Sequence, residues 1–265
     1  MSATTYPVRD AMTMLRRNLK HAQRYPSMTV TVVIMPIVML LMFVYFFGGA
    51  LGEGIEIPGG GSGRDAYTNY LAPGILLMTV ASSSIATAIS VCTDMTEGII
   101  NRFRTMAISR SSVLVGHVLG NMIQTVLALL LTLGVALAVG FRPEASVVEW
   151  AAAGGLLLLL AFALAWLSAA MGLSSDSVET ASNAPMPLTL LPFLGSAIVT
   201  PDSMPAGIRW FAEYQPFTPL TETVRGLLSG SEIGNNGWIA LAWLAGLSLL
   251  GYLWSMAAFK KAVKR

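Results

Sequence analysis

Six stretches of this chain contain no Asp, Glu, Lys or Arg: 25–52, 66–93, 111–141, 150–175, 180–201 and 233–259. They run from 22 to 31 residues. Even the shortest, wound as a helix at about 1.5 Å per residue, reaches about 33 Å and covers a hydrocarbon core of about 30 Å. An ionised side chain at the bilayer centre costs about 2.5–3.5 kcal/mol on insertion scales, so charge-free windows between regularly spaced charges predict membrane helices. Only 11% of the residues are charged, whereas a soluble domain carries about 25%. That excludes a soluble enzyme or a nucleic-acid-binding module. The expectation is an all-α, polytopic membrane protein forming one domain over 1–265. Its spans are placed at 28–48, 69–93, 113–139, 150–173, 181–200 and 237–259.

The fifth window is the least regular, because Pro185, Pro187 and Pro192 each remove a backbone donor. The basic residues argue for keeping it. With six spans and an internal N-terminus, twelve Lys and Arg residues lie on the cytoplasmic side and four outside: Arg64, Arg142, Arg209 and Arg225. Dropping the fifth span weakens the split to ten against six. The positive-inside rule therefore prefers six spans with both termini cytoplasmic. The first window is too long and too far from the start for a cleaved signal peptide.

Segment 1–27 is amphipathic. Val8, Ala11, Met12, Leu15, Leu19 and Ala22 recur at helical spacing, with Arg9, Arg16, Arg17, Lys20 and Arg24 elsewhere. Two readings fit: a helix along the cytoplasmic leaflet, or a basic tail that sets topology. Segment 94–112 carries Ile99, Ile100, Phe103, Met106 and Ala107 on one helical face and Glu97, Asn101, Arg102 and Arg104 on the other. Such a short helix can dock on a cytoplasmic partner or lie on lipid headgroups. Outside, Gly60 to Gly63 spells GxSG in a glycine-rich stretch, which reads as a flexible linker rather than a nucleophile loop. Segment 201–236 predicts short helices dipping into the outer leaflet, with Thr218 and Pro219 resembling an N-cap and first-turn pair. Gly230 is placed to end that last helix.

Within the spans, Thr79, Ser83, Thr87 and Ser90 share a face of the second helix. Buried hydroxyls line a substrate path in some proteins; more often they bond a neighbouring helix or their own i−4 carbonyl. Gly116 and Gly120 have the spacing of a close helix contact. His117, near the cytoplasmic end of that helix, is expected to be satisfied by a neighbour rather than to carry protons. Met35, Met39 and Met42 share a face of the first helix, and Phe43 and Phe46 lie near its outer end. An aromatic belt is the ordinary explanation for the phenylalanines, and an exit gate the sharper one.

Several chemistries are excluded. One cysteine, Cys92, forms no internal disulfide, and with only His21 and His117 beside it a zinc site is not expected. No catalytic residue and no cofactor are expected in this chain. There is no lysine between Lys20 and Lys260, so the GxxxxGK motif of a phosphate-binding loop is absent. If the protein pumps, another subunit supplies the energy. A channel would need pore-lining polar rings, and the hydroxyl stripe is the one candidate. An intramembrane enzyme would need a nucleophile and base at membrane depth, for which no pair stands out.

Three features carry a resemblance: the Glu97-Gly98 pair after the second span, the stretch MAISRSSVLVGHVLGN over 106–121, and QPFTPLTETVRGLLSG over 215–230. With the order of elements, they make the chain resemble type 2 ATP-binding-cassette exporter permeases, and among these the daunorubicin-resistance permeases. Gln215 stands where Asn is common in that group. The resemblance implies a homodimer or a pair of like permeases bound to two ATPase subunits that hold ATP and magnesium. Glu97, Gly98, Arg102, Phe103 and Arg104 would form the ATPase coupling helix. The substrate path would draw on Met35, Met39, Met42, Phe43, Phe46, Ser83 and Thr87. Family members export hydrophobic drugs, lipids or glycan precursors, and the apolar interior here favours an amphipathic drug or lipid. The implied location is the cytoplasmic membrane, with lipid as a partner and no nucleic acid.

Overall fold

The computed structural model describes residues 7–24, 26–54, 62–96 and 110–262. Among these residues it is helical with turns and no strands. Helix α1 (Pro7–Arg24) is followed by α2 (Pro26–Met42), which runs through a π-helical stretch, Phe43–Phe47, into α3 (Gly48–Gly54). Then come α4 (Gly63–Thr96), α5 (Arg110–Val139) and α6 (Val147–Ser174). Short pieces follow: α7 (Val178–Asn183), α8 (Met186–Leu190) and a 3-10 turn at Leu191–Leu194. A second 3-10 turn (Pro201–Ser203) leads to α9 (Ala206–Tyr214), α10 (Phe217–Ser229) and α11 (Asn236–Ala262).

Five helical segments among the described residues are long and apolar enough to cross a membrane: Val32–Glu53, Gly63–Thr96, Ser112–Val139, Val147–Ser174 and Asn236–Lys261. They agree with the first, second, third, fourth and sixth windows. Helices α4 and α6 are mostly buried inside the chain, whereas the first span, α5 and α11 expose most of their apolar windows. Small residues make this layering work. A Cβ on Gly172 of α6 would lie 2.4 Å from the Ala88 carbonyl oxygen of α4. One on Gly251 of α11 would lie 2.7 Å from the Leu167 backbone nitrogen of α6. Neither clash can be relieved without separating the helices, so the glycines set the spacing of the central stack.

Apolar packing divides into two clusters. The larger joins Leu40 and Val44 to Leu71 and Ile75 of α4 and to Leu220 and Val224 of α10. The smaller joins Val91, Leu114, Val118, Trp166, Leu173 and Phe259 at the other end of the bundle. Helix α6 begins with a capping box: Ser146 accepts from the Glu149 N–H, and the Glu149 carboxylate accepts from the Ser146 N–H. This satisfies orphan donors where the chain re-enters the bundle.

The fifth window is not a continuous helix, which corrects the expectation of six helical spans. Pro185, Pro187 and Pro192 divide it into α7, α8 and the 3-10 turn, since each lacks the N–H that an unbroken ladder requires. The chain leading into it and its far end nevertheless lie at opposite ends of α4. The Ser175 carbonyl accepts from the Cys92 thiol at 3.8 Å. The Ser196 and Ile198 carbonyls accept from the Tyr70 and Tyr67 hydroxyls at 2.9 and 3.3 Å. The stretch of α4 from Tyr67 to Cys92 is about 37 Å long at 1.5 Å per residue.

Segment 201–236 contains short helices packed on the bundle. α9 exposes Trp210 and Tyr214, whose rings pack at a tilt with centroids 5.7 Å apart, while α10 is largely buried. Helix α10 starts at Phe217, so Thr218 lies in its first turn and is not the N-cap. The cap is supplied from upstream: the Gln215 side-chain oxygen accepts from the Phe217 N–H at 3.1 Å. Gly230 ends the helix as expected, in the left-handed region at φ +71°.

Candidate functional site

A polar seam runs between α4 and α5. Thr79, Ser83, Thr87, Ser90 and Asp94 follow one another on α4 at spacings of three or four residues, and all five are buried or half-buried. The Thr79 hydroxyl donates to the Ile75 carbonyl at 2.9 Å and lies 3.3 Å from that of Thr132. The Ser83 hydroxyl donates to the Val80 carbonyl and accepts from Thr125 at 2.8 Å. The Ser83 carbonyl accepts from the Asn121 amide at 2.8 Å. These bonds bear out the packing role expected of the stripe. Thr87 is the exception: its buried hydroxyl has no hydrogen-bond partner.

The lower end of the seam carries charge. His117 Nε2 lies 2.9 Å from Asp94 Oδ2, and His117 Nδ1 lies 3.1 Å from the Ser90 hydroxyl. An ionised carboxylate only accepts, so Nε2 carries the proton; in the neutral ring Nδ1 then accepts from Ser90. His117 is thus satisfied by neighbours, as expected. The same Asp94 oxygen pairs with the Arg17 guanidinium of α1. Among the described residues, Asp94 is the one buried carboxylate.

Helix α1 reaches Asp94 because α5 offers it a groove. A Cβ on Gly116 would lie 2.4 Å from Met14 Cβ, and one on Gly120 would lie 3.1 Å from Asn18 Cβ. The GxxxG spacing therefore serves α1, which ascends alongside α5 in the same direction over this contact. Met14 is buried against it, while Arg16, Lys20 and Arg24 remain exposed on another face.

At the opposite end of the bundle Arg225 of α10 is fully buried. Its Nε donates to the Tyr70 carbonyl at 3.1 Å, Nη2 to the Ser196 carbonyl at 2.7 Å and Nη1 to Glu222 at 2.5 Å. The guanidinium also lies 3.7 Å from the Tyr70 ring centroid. One side chain thereby fastens α10 to α4 and to the far end of the broken fifth window.

The residues expected to line a path are not gathered on one surface of this chain. Met35 and Phe46 are exposed, Met39, Met42 and Phe43 are half-buried, and Ser83 and Thr87 lie inside the seam. Phe43 also packs on the ring of Phe47, at 5.6 Å. Glu97, Gly98, Arg102, Phe103 and Arg104 lie outside the described residues. Asp94, Arg17 and Arg225 did not enter the sequence reading as site residues. For Asp94 a signal existed: it lies four residues beyond Ser90, on the face that the hydroxyls mark.

The fold and the seam define a multi-pass helical membrane protein, clasped by charge at both ends and free of ionised groups in the seam between. Residues 9–228 match the ABC-2 type transporter family. The chain belongs to that family. It is 28% identical over 226 residues to the daunorubicin resistance ABC transporter permease protein DrrB1 of Streptomyces coeruleorubidus, covering 84% of this chain and 76% of the relative. It is also 23% identical over 187 residues to the probable doxorubicin resistance ABC transporter permease protein DrrC of Mycobacterium tuberculosis strain H37Rv, covering 71% and 68%.

Proposed function

We propose that this chain is the permease subunit of an ATP-driven exporter that moves a hydrophobic or amphipathic drug or lipid outward across the cytoplasmic membrane. Two copies work together with two separate ATPase subunits, which hold ATP and magnesium. The observation that carries this reading is the family match along 9–228, joined to relatives named for daunorubicin and doxorubicin resistance. The topology that fits it has six crossings and both termini in the cytoplasm. The fifth crossing is the broken segment laid along α4, and α1 accompanies the cytoplasmic leaflet.

In this reading the segment 97–107 meets the ATPase. It follows α4 and precedes α5, so a push on it acts on both helices. The seam makes them move together, because sliding one past the other would strand buried hydroxyls and amides. Helix α2 and the fifth crossing then supply the walls of a route between two copies. Met35, Met39 and Met42 give an adaptable apolar surface, and Phe43 and Phe46 lie toward its outer end. Ser83 and Thr87 contribute through the seam.

Inside-out vesicles containing the chain and its ATPase should accumulate daunorubicin with hydrolysable ATP. They should fail with a non-hydrolysable analogue or with the ATPase omitted. Equal accumulation without the ATPase would reject the proposal.

A further inference from the structure

We infer that Asp94 is a positioning residue that joins the last turn of α4 to α1 and α5 at once, so that one displacement moves three helices as a unit. The inference rests on the permease reading for its function, and on the geometry for the linkage itself. Asp94 lies in the last turn of α4, three residues before 97. A single carboxylate oxygen holds Arg17 from α1 and His117 from α5. His117 is in turn anchored to α4 by Ser90, so the linkage closes on itself across two helices.

The surroundings leave little slack. Met14 and Asn18 of α1 rest where Gly116 and Gly120 of α5 have no side chain. Val91, Leu114 and Val118 pack beside the cluster. Tight contacts prevent α1 and α5 from approaching further, and the ion pair prevents separation. A displacement of the α4 end therefore passes to both partners instead of being absorbed. Without the negative charge, Arg17 loses its counter-ion on α4 and the His117 Nε2–H is left with a weaker, neutral acceptor, while the apolar contacts that hold the fold remain.

The test uses the complete complex in proteoliposomes. Asp94→Asn should leave ATP hydrolysis and the KM for daunorubicin near wild type. Daunorubicin moved per ATP should fall at least about fivefold, the low end of coupling between sites. Asp94→Glu should recover most of that ratio. Arg17→Gln, which spares the Asp94–His117 contact, should lower it too and serves if Asp94→Asn does not fold. In parallel, spin labels at Lys20→Cys and Leu119→Cys, in a Cys92→Ser background, report the α1–α5 distance. Wild type should give one narrow distribution with and without nucleotide, and Asp94→Asn a broadened one. An unchanged transport ratio with a narrow distribution in Asp94→Asn overturns the inference. If wild type moves no daunorubicin with ATP, the permease reading falls, and the distance measurement alone decides the linkage.

Discussion

Arg225 is the largest side chain fully buried among the described residues, and it is a cation. Its burial is tolerable because every face of the guanidinium is occupied: two carbonyls, the Glu222 carboxylate and the Tyr70 ring. Removing one partner of such an arrangement leaves the others desolvated and unmatched. Arg225→Met should therefore lower stability by about 3–5 kcal/mol, read as a lower unfolding midpoint of the detergent-solubilised protein. Arg225→Lys should recover only part of this, since a point charge cannot reach both carbonyls and Glu222. A midpoint unchanged in Arg225→Met would show that the guanidinium holds nothing. At this scale the sequence was partly legible. The hydroxyl stripe and the Gly116–Gly120 pair follow helical periodicity, so both could be read directly. Asp94 could be read from the hydroxyl face it extends, but Arg225 and Arg17 only as topology charges, because Tyr70, Ser196 and Asp94, which hold them, lie far away in sequence.

Among the elements, the broken fifth window is the one whose form most affects its use. Six-residue α7 and five-residue α8 cannot hold themselves together by ladder bonds. They rely on α4, against which the Tyr67 and Tyr70 hydroxyls fix the far end. If this segment crosses, its two flanks lie on opposite sides of the membrane. In a Cys92→Ser background, Ser203→Cys should react with an impermeant thiol reagent in intact cells, and Ser177→Cys only after permeabilisation. External labelling of both would remove the fifth crossing. The windows were legible because charge exclusion sets helix length, and five of the six appear as single helical runs. The three prolines announced trouble in the remaining one, but where the chain breaks depends on which carbonyls α4 and α10 can satisfy. Thr218 shows the same limit: its N-cap signature was overtaken by Gln215, whose longer side chain reaches forward to accept from the Phe217 N–H.

For the whole molecule, apolar side chains are exposed on α5 and α11 as well as on the two faces the proposal uses: Met35, Val38 and Phe46 on the first span, and Met186, Leu190 and Phe193 on the fifth window. The proposed pairing of two copies brings these faces together. Phe46→Cys and Phe193→Cys, on opposite copies and without Cys92, should form a disulfide on oxidation that blocks daunorubicin export while ATP binding to the partner continues. Full export by a quantitatively cross-linked complex would place the route elsewhere. Family membership was legible in the whole chain because element order and three loose motifs agree. The assembly was not, since a monomer's exposed apolar residues face lipid and partner by the same chemistry. The α4–α5 seam also bears on how the protein is made. Leaving the ribosome alone, α4 would present the Ser83 carbonyl without Asn121 and the Asp94 carboxylate without His117 to the bilayer. Its release into the bilayer should wait until α5 has emerged, so that the two enter as a hairpin. A translation-arrest force profile would then show one late pulling event for the pair, and Asn121→Leu, by withdrawing a partner, should weaken it.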